Sequence, residues 1–255
     1  MIPEPFAQGN SLIHAINPQL KAALALTYSL VLAFSSSIII LMVGLITALC
    51  LVLLARLPIK DVLKRLSVLI GFLVLIWLLM PLTYPGTAII KFGIIKLSTP
   101  GLLLALQISL KSTAILMTMM ALLTTMPVAA LGHALRNLGL PTKLVYLLLI
   151  TYRYLFVFEQ AYQRLIRAAR IRGFTPGTNL HSYRTYAYLA GMLLVHAWSR
   201  ANRVSNAMKC RGFSGKFYAL NQFEPDSRNW PFGLIMSIII LTLATMEIWI
   251  RITLS

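Results

Sequence analysis

Long apolar runs separated by short polar breaks make up most of this chain. The run from Lys21 to Leu54 is too long for one helix crossing a bilayer in about 20 residues. Its one polar break is Phe34-Ser35-Ser36-Ser37, so it reads as two helices and a tight turn. A third run, Leu66 to Leu82, closes at Pro81 and Tyr84-Pro85-Gly86, and a fourth, Leu102 to Met126, closes at Pro127. The last lies between Trp230 and Trp249, 19 positions apart. On a helix that separation is about 29 Å, which sets an aromatic anchor at each face of a hydrocarbon layer about 30 Å thick. The pattern predicts an all-α integral membrane protein with about five transmembrane helices: four within 1–127 and one within 230–255.

Between them, 128–229 is the only long polar stretch, and it holds 14 of the 23 basic residues. Lys and Arg are retained on the cytoplasmic side. The connection carrying Arg56, Lys60, Lys64 and Arg65 is richer in them than the one after Tyr84, with Lys91 and Lys96. This places the N-terminus and 128–229 in the cytoplasm. Two apolar stretches there, around Leu144 to Phe158 and Tyr186 to Trp198, carry or adjoin Arg153 and Arg184 and run straight into charge. They read as long helices lying in or beneath the membrane.

The first of these, about Thr142 to Arg172, spaces Arg153, Gln160, Arg164 and Arg167 along one side and Leu155, Phe158, Tyr162 and Leu165 along the other. The second, about Ser182 to Arg211, separates Leu194, Trp198, Ala201 and Met208 from Arg200, Arg203 and Arg211. Each is about 45 Å long. Both end in the same tripeptide, Arg172-Gly173-Phe174 and Arg211-Gly212-Phe213. Helix capping accounts for much of this: Gly takes the left-handed position, Arg suits the negative end of the dipole, and the apolar residue packs back. Capping leaves unexplained the second basic residue before each cap, Arg170 and Lys209. A pair of arginine forks also suits acidic or carbonyl-rich pockets on a partner, so capping and docking are both expected.

Composition removes other classes. Hydrophobic residues are 58% of the chain, which would coat a soluble domain in apolar surface. The net charge of +17 would suggest nucleic acid in a soluble chain, but the anionic face of a lipid bilayer explains it here, and nucleic acid is not expected as a partner. Cys50 and Cys210 imply neither a disulfide framework nor a metal site, and His14, His133, His181 and His196 lack metal-ligand spacing. Met-Ile-Pro-Glu-Pro-Phe lacks the basic start of a cleavable signal, so the first apolar run is expected to stay. The six acids offer no acid–base pair, and Gly212 to Phe217 fails as a phosphate loop, so no catalytic, cofactor or metal residues are expected. Asn17-Pro18 reads as an N-cap and first turn, with Lys21 at the membrane interface.

With these features the chain resembles the transmembrane (T) components of energy-coupling-factor (ECF) transporters, nearest the cobalt-type, CbiQ-like branch. The resemblance rests on Ser11-Leu-Ile-His14 with Pro18 and Lys21, on Thr151 to Glu159, on Arg167 to Phe174, and on Arg203 with Ala207-Met208 and Arg211 to Gly215. It implies a cytoplasmic coupling domain whose two long helices cross. Their tips dock on a dimer of ABC-type ATPases, and an apolar face holds a substrate-binding membrane (S) subunit. Carried over by position, Arg172 and Arg211 with Gly173 and Gly212, flanked by Arg170 and Lys209, would meet the ATPases. Leu155, Phe158, Leu194 and Trp198 would meet the membrane partner, or equally serve helix packing. Ile171 and Cys210 stand where the pattern has alanine, and Glu159 matches an acidic position that equally suits pairing with a nearby Arg. The implied function is a non-catalytic subunit of a cobalt importer in the cell membrane. The alternatives are a nickel or vitamin transporter, and a membrane-anchored protein that grips anionic lipid or nucleic acid.

Overall fold

The computed structural model describes residues 9, 11–84, 88–92, 95–214 and 229–254. Its order is α1 (Pro18–Phe34), α2 (Ile38–Leu54), α3 (Ile59–Thr83), a two-stranded antiparallel hairpin β1 (Ala88–Phe92) and β2 (Ile95–Ser98), then α4 (Thr99–Leu122), α5 (Val128–Asn137), α6 (Thr142–Ile171), α7 (Leu180–Cys210) and α8 (Asn229–Leu254). Among the described residues the regular structure is helical apart from that hairpin, as the apolar pattern predicts. The chain divides into two compact units, Glu4–Leu138 with Phe223–Ser255, and Gly139–Gln222.

In the first unit α3, α4 and α8 are long and apolar enough to cross a membrane, while α1 and α2 have 17 residues each. At 1.5 Å per residue the two shorter helices reach about 26 Å. α4 packs against α1, α2 and α3, and α1 also packs against α5 and α8. Small residues let the helices close: Ala25, Ala48, Ala105, Ala114 and Ala121 are all fully buried. Tyr28 is 0% exposed, and its hydroxyl donates to the Gly44 carbonyl at 2.6 Å and hydrogen-bonds Thr47. A Cβ on Gly44 would lie 2.5 Å from Leu32 Cδ2, so a larger residue there would make the Leu32 side chain shift.

Several details differ from the sequence expectation. Lys60, Lys64 and Arg65 lie inside α3 rather than in a loop, because the helix opens beyond Pro58 with Asp61 in its first turn and leads into the apolar run. Lys21, in the first turn of α1, is 1% exposed and covered by the protein itself. Its ammonium donates to the His14 carbonyl at 3.4 Å, tucked beneath the turn that precedes Asn17. Asn17 caps α1 as expected, accepting from the Gln19 amide at 2.9 Å, and its own amide donates to Asn229 Oδ1 at 2.8 Å.

The α1–α2 turn is held by side chains from α8 and α4. Glu247 is buried and accepts from Ser35 Oγ at 2.6 Å, Ser36 N at 3.0 Å and Ser36 Oγ at 3.1 Å, and from Arg251 Nε at 3.0 Å. Arg251 donates to the Phe34 carbonyl, Lys111 to Ala33 O at 3.1 Å and Gln107 to Ser36 O at 2.8 Å. These groups satisfy the carbonyls that α1 leaves open and an amide at the start of α2.

Candidate docking site on the two long helices

The second unit is built on α6 and α7, of 30 and 31 residues. Few of their residues are buried, Val145 and Ser182 being the examples, and large apolar side chains remain exposed on both. α6 is itself long and apolar enough to cross a membrane. The helices pack on each other, and the clefts between them are lined by 150–168 of α6 and 196–209 of α7.

Both tips close with the same hydrogen bonds. At the end of α6 the Gly173 amide donates to Arg170 O at 3.0 Å and the Phe174 amide to Ala169 O at 3.1 Å. At the end of α7 the Gly212 amide donates to Lys209 O at 3.0 Å and the Phe213 amide to Met208 O at 3.1 Å. Each pair is a Schellman motif, which requires its glycine in the left-handed region. Gly173 has φ +85° and Gly212 φ +77°. A Cβ at either position would meet nothing within 4 Å, so backbone conformation and not space calls for glycine.

Arg172 and Arg211 are the C-cap residues, with nearly identical backbones at φ −83°, ψ 14° and φ −92°, ψ 14°. Both are exposed, and so are Arg170 and Lys209 in the last turns. Ile171 is 87% exposed, and Cys210 is exposed too, so neither departure from alanine is taken up by packing within the unit. Each tip therefore offers an apolar or sulfur-bearing side chain next to a cation.

The sequence-derived apolar residues do not share one environment. Leu155, Leu194 and Trp198 are exposed, the last two 72% each. Phe158 is half-buried, lines the clefts between α6 and α7, and lies 6.3 Å from the Tyr154 ring. Glu159 is exposed on α6.

Sequence reasoning missed what braces the tips. The Phe174 ring meets Tyr186 of α7 edge-on, with centroids 5.5 Å apart. The Gly177 amide donates to the buried Ser182 Oγ at 3.1 Å, tying the connection to the first turn of α7. At the other tip Phe213 lines the cleft that Tyr154 and Phe158 of α6 also line. The signal was present in the apolar residue after each Gly, but helical periodicity does not say which helix receives it.

The apolar, membrane-length helices, together with a basic helix pair, define a multi-pass membrane protein. The chain belongs to the CbiQ family of cobalt transport proteins, which matches residues 9–224. It is 27% identical over 227 residues to the energy-coupling factor transporter transmembrane protein EcfT of Bacillus subtilis, covering 84% of this chain and 85% of that one. The EcfT of Leuconostoc gelidum is 28% identical over 222 residues, 82% of each chain. The cobalt transport protein CbiQ of Rhodobacter capsulatus is 28% identical over 152 residues, 57% of this chain and 62% of its own. Its place is thus among the transmembrane components of energy-coupling-factor transporters.

Proposed function

We propose that this chain is the coupling subunit of an ECF-type ABC importer, with Arg172 and Arg211 as its contacts to a pair of ATPase subunits. One observation carries the reading: two helices of nearly equal length end in superimposable caps that each project an exposed arginine. The chain itself does not hydrolyse ATP in this reading. ATP binding draws the ATPase pair together, the two arginines follow, and α6 and α7 pass the displacement to the substrate-binding membrane subunit. Leu155, Leu194 and Trp198 supply exposed apolar surface for that subunit, and Phe158 supports the helix pairing behind it.

Cobalt is the proposed cargo, on the strength of the family. Among the described residues no group of three or more His, Cys, Asp or Glu side chains comes together, so ion selection is assigned to the substrate-binding subunit. Loop charge supports a cytoplasmic side for the N-terminus and the α6–α7 unit in this reading.

The test is co-purification of the full chain with its ATPase pair. Arg172→Glu and Arg211→Glu each weaken assembly at least tenfold and together abolish it, because each places a carboxylate where a cation is received. Arg153→Glu and Arg184→Glu, exposed on the same helices, leave it intact. Equal losses from all four reversals overturn the docking reading. Uptake of labelled Co²⁺ with Ni²⁺ as competitor tests the cargo.

A further inference from the structure

Arg164 of α6 and Arg200 and Arg203 of α7 line one cleft, beside His196 and Ser199, around about 570 Å³. Among the described residues none of these three arginines has a carboxylate partner. The one acid in the Gly139–Gln222 sequence is Glu159, which does not line the cleft. Like charges from two helices raise the energy of such a cleft, and an anion among them lowers it. Planar guanidinium forks suit the tetrahedral oxygens of phosphate.

A second, apolar groove of about 450 Å³ adjoins this cleft and shares Phe158 and Arg200 with it. Its walls include Ile150, Tyr154, Val204, Met208 and Phe213, and Ala197 and Ala201 leave it open. The size and lining are those of a small-molecule site with a few placed polar groups. A free anion gives this groove no purpose, and a neutral apolar molecule leaves the arginines uncompensated.

We propose that the two clefts together hold one anionic phospholipid, with its phosphate among Arg164, Arg200 and Arg203 and an acyl chain along the groove toward Phe213. The setting suits a lipid. α6 is apolar enough to reach a bilayer, and Tyr183, Tyr188 and Trp198 stand exposed on α7, as aromatic residues do at a membrane interface. The bound lipid fills the junction of the two helices and stiffens the pair. Arg172 and Arg211 line neither cleft, and of the docking residues only Lys209 lines the groove, so substitutions at Arg164, Arg200 and Arg203 test this site without touching the docking arginines.

The experiment uses the full chain, purified in detergent, stripped of lipid and offered equal phosphatidylglycerol and phosphatidylcholine, with bound lipid read by native mass spectrometry. The wild type retains one phosphatidylglycerol per chain. The triple variant Arg164→Gln, Arg200→Gln, Arg203→Gln loses at least tenfold in occupancy with an unchanged helical circular dichroism spectrum. Arg153→Gln with Arg184→Gln does not. Ala201→Trp, which fills the groove, also loses lipid, and millimolar inorganic phosphate does not displace it.

Four outcomes overturn the proposal. Equal retention of phosphatidylcholine removes the role of charge. Equal loss from the Arg153 and Arg184 pair makes binding diffuse. Displacement by phosphate while Ala201→Trp still binds phosphatidylglycerol makes the site one for a free anion. Unchanged lipid with loss of a protein partner in the triple variant makes the cleft a docking surface for an acidic segment.

Discussion

Arg172 and Arg211 project as they do because of the glycines that follow them. An alanine at Gly173 or Gly212 must hold φ near +80°, where L residues carry a penalty of about 1 kcal/mol or more. Because nothing crowds the missing Cβ, the whole effect comes from the backbone. Gly173→Ala therefore frays the last turn of α6, seen as faster hydrogen exchange at Arg172 to Phe174, and weakens ATPase assembly about fivefold. Gly173→Asn does less harm, since Asn tolerates the left-handed region. An Asn variant as damaging as the Ala variant would show that side-chain volume matters at the tip. The capping residues were legible in the sequence, since the Arg-Gly-Phe signature is local. Lys21 was not: its position at the start of an apolar run suggested an interface, while burial depends on the preceding turn folding over it.

Among the helices, the pairing of α6 and α7 matters most. Phe174 leans on Tyr186 of α7, and Phe213 lies in the cleft lined by Tyr154 and Phe158 of α6, so each tip is braced by the opposite helix. Tyr186→Ala removes an aromatic pair of about 0.5–1.5 kcal/mol, which corresponds to a loss in assembly of about two- to thirteenfold. Tyr188→Ala, exposed two residues on, is neutral. A double-mutant cycle with Phe174→Leu measures the coupling, and strict additivity would show that the contact does not position the tip. Both helices were visible in the sequence within two residues at each end, since helical spacing and caps mark them. Their contacts were not, because an apolar side serves a bilayer, a membrane partner and the other helix equally well, and periodicity does not say which.

Across the whole chain, charge and apolar length together define where each part resides. In the proposed topology the basic residues of Arg56 to Arg65 and of 128–229 lie on the cytoplasmic side, and the Ser35–Ser37 turn on the other. In a variant with Cys50 and Cys210 replaced by Ser, a cysteine at Arg56 is shielded from a membrane-impermeant maleimide in intact cells, while one at Ser37 reacts. The reverse pattern would invert the topology. The class was readable at this scale because it needs only run lengths and charge. The closure of the body was not, since Glu247 reaches Ser35 across 212 positions and had no role as an acid–base partner to draw notice.

That closure also has a consequence in time. The Ser36 amide and Phe34 carbonyl at the α1–α2 turn are synthesised more than 200 residues before Glu247 and Arg251, which satisfy them. Until α8 inserts, the turn must borrow water or other partners for groups that the bilayer does not satisfy. A chain halted before Glu247 holds four apolar helices of the body with their first hairpin unlatched.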